Sequence, residues 1–181
     1  MTRFHQLTDP LTPDAMARDA AAYVDFLVAQ PSVSRGPMGV VGFCFAGQFA
    51  LRTGAARPAR IAAVASFHGG GLVTDIDRSP HLVLPWLKAR LYLGHAVNDR
   101  SMPPEAIEKL RGALKSWGGA YESELYEGAL HGWMIAGSKV YDPQQAERGF
   151  AKLMALLDDT LRAPLAVEPR GIGHDVLPGR A

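Results

Sequence analysis

Reactive side chains follow each apolar segment of the chain that we predict to be a strand; they are Cys44, His68, Asp99 and His131. In nucleophilic acyl transfer a sulfur or oxygen attacks a carbonyl carbon, an imidazole carries the proton, and a carboxylate orients the imidazole. The chain order nucleophile, acid, histidine is one in which such triads occur. We therefore predict Cys44 as nucleophile, His131 as general base and acid, and Asp99 as the residue that orients the histidine.

The stretch GFCFAG, residues 42–47, surrounds the only cysteine with small residues. The pattern G-x-nucleophile-x-G is typical of a strained strand-to-helix turn that exposes the reactive side chain. Gly42 and Ala46 fill the small positions, and we expect Gly47 to relieve the crowding that the methyl of Ala46 causes. The helix N-terminus favours negative charge on the sulfur of Cys44. The backbone N–H of Phe45 is the predicted oxyanion-hole donor.

Each of the three catalytic candidates has a plainer interpretation when it is taken alone. A single free cysteine is commonly a small buried hydrophobe, and an aspartate in NDRSMPP is typical of a loop or helix cap. A histidine in GALHGWM is equally at home in an ordinary loop. Parallel α/β sheets bind ligands beyond the carboxyl ends of their strands, so three such residues at separate strand ends favour the catalytic interpretation.

Strand and helix patterns that alternate along the chain predict an α/β fold with a parallel sheet, built as a three-layer sandwich. The predicted strands are residues 38–43, 61–67, 90–97 and the stretch AYESELYEG, and the predicted helices are residues 13–30, 44–56, the segment after NDRSMPP and residues 142–161. We expect the first strand to be buried on both faces and the last to be an edge with one wetter face. The loop at 69–88 is predicted to form a wall or lid over a pocket.

Apolar residues at helical spacing predict which helix faces are buried. In the first helix, capped by Thr12, they are Met16, Ala20, Tyr23 and Leu27; after NDRSMPP they are Ile107, Leu110, Leu114 and Trp117; in the last helix they are Ala146, Phe150, Leu153, Leu157 and Leu161.

Bulk composition narrows the class of protein. The 181 residues suit one domain, with 48% hydrophobic and 20% charged residues. A formal net charge of +1 indicates neither a nucleic-acid-binding surface nor an acidic tail. One cysteine suits a reducing compartment, and no signal peptide or membrane-spanning run is recognisable, which predicts a cytoplasmic protein. No residue spacing predicts a metal site, and no cofactor is expected.

The segments GFCFAG, GHAVNDRSMP and ALHGWM together resemble the three active-site segments of the dienelactone hydrolase family, a cysteine-using branch of the α/β-hydrolases. HGGGLVTD, SPHL and YDPQQAER are similar to further family segments, so the likeness reaches to Leu161. It implies that Cys44, His131 and Asp99 form the triad. It also implies hydrolysis of a small-molecule carboxylic ester or lactone through an acyl-thioester, without a cofactor.

The chain departs from that family pattern at its beginning. Family members begin with strands that carry an oxyanion-hole loop and, in the dienelactone hydrolases proper, a glutamate that contacts the cysteine. We expect residues 1–162 to form a partial domain with a truncated α/β-hydrolase fold, followed by an irregular tail at 163–181. Either the chain is part of a longer protein, or it is a shortened member that forms homo-oligomers through the exposed edge of its first strand. The second case leaves open a catalytically inactive binding or assembly module.

The residues around the predicted triad indicate the kind of pocket. The dienelactone hydrolases proper carry an arginine shortly after the catalytic histidine, whereas Trp133, Met134 and Ile135 follow His131 here. An uncharged ester or lactone is therefore the expected substrate. The candidate pocket residues are Phe43, His68, Trp133 and Met134. For His68 and His81, local hydrogen bonds to loops are the favoured alternative to substrate contact.

Overall fold

The computed structural model describes residues 3–162. Its elements are α1 (Arg3–Thr8), α2 (Pro13–Ala29), β1 (Met38–Phe43), α3 (Ala46–Ala56), β2 (Ile61–Phe67), a 3₁₀ helix (Pro80–Trp86), β3 (Arg90–Ala96), α4 (Pro104–Trp117), β4 (Tyr121–Tyr126) and α5 (Pro143–Leu161). The strands form one sheet in the order β1-β2-β3-β4, and every neighbouring pair is parallel. The predicted parallel α/β fold is confirmed.

Helices cover both faces of this sheet, which makes three layers. The apolar core on one face joins the sheet to α3, α4 and the 3₁₀ helix; it includes Leu51, Val64, Leu84, Leu91 and Leu114. The core on the other face joins the sheet to α5; it includes Phe67, Tyr92, Ala146, Leu153 and Leu156. Because both faces are covered, the carboxyl ends of the strands are where loops can gather a site.

The helix caps form at the predicted places. The Thr12 hydroxyl accepts the backbone N–H of Ala15 at 3.2 Å and begins α2. The Asp142 carboxylate accepts the N–H of Gln145 at 3.0 Å and begins α5. Side chains that accept otherwise unpaired N–H groups of the first turn fix where each helix starts.

For three residues of the predicted apolar stripes, the prediction of burial is wrong. Tyr23 on α2 is 71% exposed, Leu27 on the same helix is 44% exposed, and Phe150 on α5 is 44% exposed. Val24 and Leu156 are buried instead. In both helices the buried stripe is displaced by about one residue, because the spacing shows that a helix is amphipathic but not where its neighbours touch it.

The first strand is an edge, and the prediction that it is buried on both faces is wrong. Within the described residues β1 pairs with β2 alone, and Val41 is 41% exposed. Helix α5 packs mainly on β2 and β3, so one face of β1 stays open. Beside this edge, α2 and α3 border an apolar groove of about 470 Å³ lined by residues such as Tyr23, Met38 and Phe49. The fourth strand is the other edge, as predicted.

The loop at 69–88 contributes to both the core and pocket walls. Its second half forms the 3₁₀ helix, which packs against α3 and α4 and buries His81 and Leu84. Leu82 and Trp86 of the same 3₁₀ helix are exposed and line a cavity of about 300 Å³ with residues of α2 and α3, so this half forms a pocket wall as well as part of the core. The first half, with Gly70 and Gly71, approaches the strand ends instead.

The predicted irregular tail at 163–181 lies outside the described residues. Among residues 3–162, no helix has the length and apolarity that a membrane span requires.

Candidate active site

The nucleophile lies on a strained turn between β1 and α3. Cys44 has a φ of 55°, in the left-handed region that side chains with a Cβ rarely adopt. A Cβ added to Gly42 would stand 2.1 Å from the backbone oxygen of Ala46, so only glycine fits there. These features agree with the predicted nucleophile elbow.

The second small position of the elbow is Gly47 rather than Ala46. A Cβ on Gly47 would lie 2.3 Å from Ser66 Oγ and 3.0 Å from Gly69 Cα, whereas Ala46 is exposed. Close packing at the turn therefore depends on Gly47, and the exposed Ala46 does not need relief from crowding.

The structure brings the three predicted catalytic side chains into one hydrogen-bonded row. Cys44 Sγ lies 2.9 Å from His131 Nε2, and His131 Nδ1 lies 2.5 Å from Asp99 Oδ2. The Asp99 side chain is 3% exposed and that of His131 is 31% exposed. The carboxylate is thus sealed behind the imidazole, and the imidazole reaches the surface beside the sulfur.

Electrostatics favour a protonated His131. The hydrogen bond to Asp99 is the main reason that the pKa of His131 rises to about 9; burial opposes this rise and the bond to Cys44 adds to it. Burial alone would raise the pKa of Asp99, but hydrogen bonds from His131 and Ser101 outweigh it and leave that pKa below its ordinary value. At neutral pH the row therefore holds an imidazolium against a carboxylate.

Ser101 completes the support of the carboxylate, and sequence reasoning missed it. Its backbone N–H donates to Asp99 Oδ1 at 2.8 Å and its hydroxyl donates to the same oxygen at 2.6 Å. The hydroxyl oxygen is also 3.2 Å from His131 Nδ1. The spacing D-x-S, which is typical of an aspartate-led turn, was the available signal.

The glycines after β2 connect their loop by hydrogen bonds to the turn at Cys44 and to the loop at Ser101. The N–H of Gly70 donates to the carbonyl of Cys44 at 3.3 Å, and that of Gly71 donates to the carbonyl of Ser101 at 2.8 Å. A Cβ on Gly70 would lie 2.7 Å from Ser101 Oγ and 3.6 Å from His131 Cε1. A larger residue at position 70 would therefore push on both supports of the triad.

His68 is buried directly beneath the nucleophile. It has no exposed surface, and its Nδ1 accepts the backbone N–H of Cys44 at 3.1 Å. Burial, followed by the positive charge of His131, lowers the pKa of His68 to about 4. His81, in contrast, bonds within its own loop, with Nδ1 2.7 Å from Ser79 Oγ, as the favoured alternative predicted.

The other predicted pocket residues pack mostly into the core. Trp133 is fully buried, stacks on Tyr126 at 4.6 Å and meets the His68 ring edge to face at 5.0 Å. Met134 is 6% exposed and belongs to the core under α5. Phe43, at the end of β1, is half-buried and stacks on Phe67. Trp133 and Met134 therefore present almost no surface to a ligand in this conformation, and their assignment to the substrate pocket stays a prediction.

Phe45 directly follows the nucleophile and occupies the N-cap position of α3. With Gln48 it lines a cavity of about 270 Å³ at the start of that helix. Among residues 3–162, no three His, Cys, Asp or Glu side chains are grouped as metal ligands would be.

Two known proteins are similar to this chain over most of its length. One, from Synechocystis sp., carries the provisional name carboxymethylenebutenolidase and is 25% identical over 160 residues, which is 87% of this chain and 64% of that protein. The other, a carboxymethylenebutenolidase of Rhodococcus opacus, is 29% identical over 147 residues, which is 81% of this chain and 55% of that protein. The chain thus spans less than two thirds of either relative.

A solved structure titled m3DLH superposes with a TM-score of 0.73 at 25% identity and covers 89% of this chain and 70% of that one. A dienelactone hydrolase-like promiscuous phosphotriesterase from metagenomic libraries has a TM-score of 0.68 at 22% identity, with 80% and 61% coverage, and is a likeness of fold. The model of the dienelactone hydrolase family matches residues 1–161. The chain therefore belongs to the dienelactone hydrolase family, whose fold is that of the α/β-hydrolases.

Proposed function

We propose that this chain hydrolyses a small carboxylic ester or lactone, with Cys44 as nucleophile, His131 as general acid and base, and Asp99 as the orienting carboxylate. The observation that carries the proposal is the row from sulfur to imidazole to carboxylate, with steps of 2.9 and 2.5 Å. Such a row is the arrangement that acyl transfer through a covalent intermediate requires.

In the first half-reaction the Cys44 sulfur attacks the carbonyl carbon, while the proton of the Cys44–His131 pair resides on the imidazole. The C–S bond forms and the carbonyl oxygen becomes an oxyanion. When the oxyanion collapses, the C–O bond to the leaving group breaks and His131 Nε2 donates its proton to the leaving oxygen. The product is an alcohol, or the opened end of a lactone, and an acyl-thioester on Cys44.

In the second half-reaction His131 accepts a proton from water, and the hydroxide oxygen adds to the thioester carbonyl. Collapse of this oxyanion breaks the C–S bond and releases the carboxylic acid. The sulfur leaves as a thiolate beside the newly protonated His131. In both half-reactions the N–H of Phe45 is the oxyanion donor in this proposal, since it directly follows the nucleophile.

The surroundings of His131 support an uncharged substrate. Leu130 precedes it and is 45% exposed, and Ile135 follows and is 47% exposed. Of the three apolar residues after His131, Ile135 is the one that offers surface to a ligand. An ester or lactone with an apolar body matches this surface better than one with a carboxylate beside the reacting carbonyl.

The test is hydrolysis of p-nitrophenyl acetate and an uncharged lactone by the wild-type chain and by Cys44→Ala and Cys44→Ser. We expect Cys44→Ala to lose turnover while keeping its thermal unfolding transition, because the covalent step has lost its nucleophile. An acetyl adduct on Cys44 in the intact mass of quenched wild-type protein would identify the intermediate. Undiminished hydrolysis by Cys44→Ala would overturn the proposal.

The alternative proposal is a catalytically inactive binding or assembly module that pairs through β1. The open edge and the apolar groove beside it favour this alternative, because unpaired strands recruit other strands. Homo-oligomers through this edge would separate on size-exclusion chromatography with light scattering, and Val41→Lys would dissociate them. An inactive module would alkylate slowly at Cys44, at a rate independent of His131; an enzyme would label fast and lose that rate in His131→Gln.

A further inference from the structure

We propose that His68 is a positioning residue for the nucleophile: its Nδ1 lone pair holds the backbone N–H of Cys44 and so sets the direction in which Sγ meets His131. This inference rests on the proposed function, in which Cys44 attacks the substrate. It assigns to a second histidine a role outside the triad.

The backbone of the nucleophile is anchored twice on the β2 side. The N–H of Cys44 is shared between the carbonyl of Phe67 at 3.1 Å and the Nδ1 of His68 at 3.1 Å. The register of the sheet makes this possible, since Phe43 and Phe67 are paired and the next residue of each strand leaves the sheet beside the other. The N–H of His68 donates in turn to the carbonyl of Gly94 on β3 at 2.8 Å.

The strained turn needs such an anchor. Cys44 has a φ of 55° and His68 has a φ of 39°, so two adjacent residues with side chains are both held in the left-handed region. Residues in this region are strained and persist only where surrounding contacts hold them. Asparagine, aspartate and histidine are the residues with side chains that enter this region most readily.

His68 acts as an acceptor because it is neutral with its proton on Nε2. An imidazolium has no lone pair and could not accept the N–H of Cys44. Full burial disfavours the charged ring, and His131, whose ring centroid is 5.4 Å away, repels a second positive charge. Asp99 acts on His68 in the opposite direction but more weakly. Trp133 closes the remaining side of the ring at 5.0 Å.

Three substitutions separate the lone pair from the shape of the residue. His68→Asn keeps an acceptor oxygen near the position of Nδ1 and tolerates the left-handed backbone. His68→Leu has nearly the shape of asparagine without the acceptor. His68→Gly relaxes the backbone strain and also lacks the acceptor, so it distinguishes the hydrogen bond from the strain.

The readouts are kcat and KM for p-nitrophenyl acetate and the alkylation rate of Cys44 by iodoacetamide, each corrected for folded protein by thermal unfolding. We expect the Leu and Gly variants to lose roughly tenfold in kcat with KM nearly unchanged, and to alkylate more slowly, since one hydrogen bond of orientation is lost. The Asn variant should recover most of both rates. If Leu does not fold, the Gly and Asn pair carries the comparison.

Wild-type kcat and alkylation rates in the folded Leu and Gly variants would overturn the positioning role. A merely structural role would lower the unfolding temperature of all three variants and leave kcat per folded molecule unchanged. If the wild type hydrolyses no ester, the proposed function fails, yet the order of alkylation rates, with Asn above Leu and Gly, still tests His68 by itself.

Discussion

Two histidines with ring centroids 5.4 Å apart have opposite electrostatic environments. His131 lies against a buried carboxylate and reaches the surface, and its pKa rises to about 9. His68 is fully buried, no carboxylate among residues 3–162 is bonded to its ring, and its pKa falls to about 4. The two pKa values therefore depart from the ordinary histidine value of about 6.5 in opposite directions.

This difference shows that the surroundings of each histidine, and not the residue type, determine its protonation state and its role in the site. At neutral pH His131 carries a proton that it can donate, whereas His68 keeps a lone pair that it can offer to the backbone. Pairs of titratable groups whose pKa values are pushed apart are a mark of divided acid–base roles. The charge of His131 also helps to keep His68 neutral, so the two assignments reinforce each other.

The largest effect on the contrast between the two histidines is expected from Asp99→Asn. Without the carboxylate, the pKa of His131 should fall and its ring should lose its orientation. In a serine protease the equivalent change costs about 10⁴-fold in kcat, and we expect a loss of roughly 10³ to 10⁴ here. Steady-state hydrolysis of p-nitrophenyl acetate measures it. Asp75→Asn is the matched control, because the Asp75 side chain is fully exposed; a loss below about tenfold in Asp99→Asn would contradict the triad.

The second test uses the pH dependence of stability, to which the two histidines contribute in different pH ranges. His131 has a raised folded pKa, so its contribution to stability is complete below about 6.5 and is lost as pH rises to about 9. His68 has a depressed folded pKa, so its neutral form favours folding above about 6.5, and that contribution is lost as pH falls to about 4. We expect an effect of His131 on the order of 2 kcal/mol after solvent screening.

Chemical denaturation of wild type and His131→Gln between pH 6 and pH 10 checks the first half of this prediction. The difference in unfolding free energy between the two proteins should shrink as pH rises through 9. Imidazole proton resonances, assigned with His131→Gln and His68→Asn, should titrate near 9 and near 4. A His131 resonance that titrates near 6.5 would contradict the coupling to Asp99.

Much of the site could be predicted from the sequence because its reactive residues lie at strand ends. A short apolar strand, a small-residue turn and a helix cap are local patterns, and they placed Cys44, Asp99 and His131 together. The roles of His68 and Trp133 could not be found in this way. The first depends on the β1–β2 register, which sets His68 beside Cys44, and the second depends on how the turn after His131 packs under α5. Neither is a property of neighbouring residues in the chain.

The helix faces show the same limit. Tyr23 and Leu27 have the spacing of a buried stripe, yet they lie at the border of the open groove beside β1. Periodicity predicts that the segment is a helix, but it does not determine to within one residue which face is buried. Only the partner surface determines which residues are covered. Edge strands carry a similar ambiguity, since an apolar run such as MGVVGF is compatible with burial on either one or two faces.

Ser101→Ala should have a smaller effect than Asp99→Asn, and it also tests the support of His131 by the Asp99 carboxylate. The backbone N–H of residue 101 still donates to Asp99, and only the hydroxyl bond is lost. A charge-assisted bond of this kind is worth about 1.5 to 3 kcal/mol, part of which the remaining bonds recover, so we expect kcat to fall roughly tenfold and the pKa of Asp99 to rise. Ser116→Ala, at an exposed position on α4, is the control. Equal kcat values in the two variants would show that the hydroxyl contributes nothing to the triad.

The smallest effect is expected on the His68 side, from Trp133→Phe. Phenylalanine keeps an aromatic edge-to-face partner for His68 and removes the buried indole N–H, which has no hydrogen-bond partner among the described residues. Loss of stacking area on Tyr126 should lower the unfolding temperature by a few degrees, in line with about 1 kcal/mol for a partial core truncation. Because the side chain is fully buried, kcat and KM should each change by less than about twofold. A KM raised severalfold at unchanged stability would indicate that Trp133 contacts the substrate. The site would then have to open further than it does in this conformation.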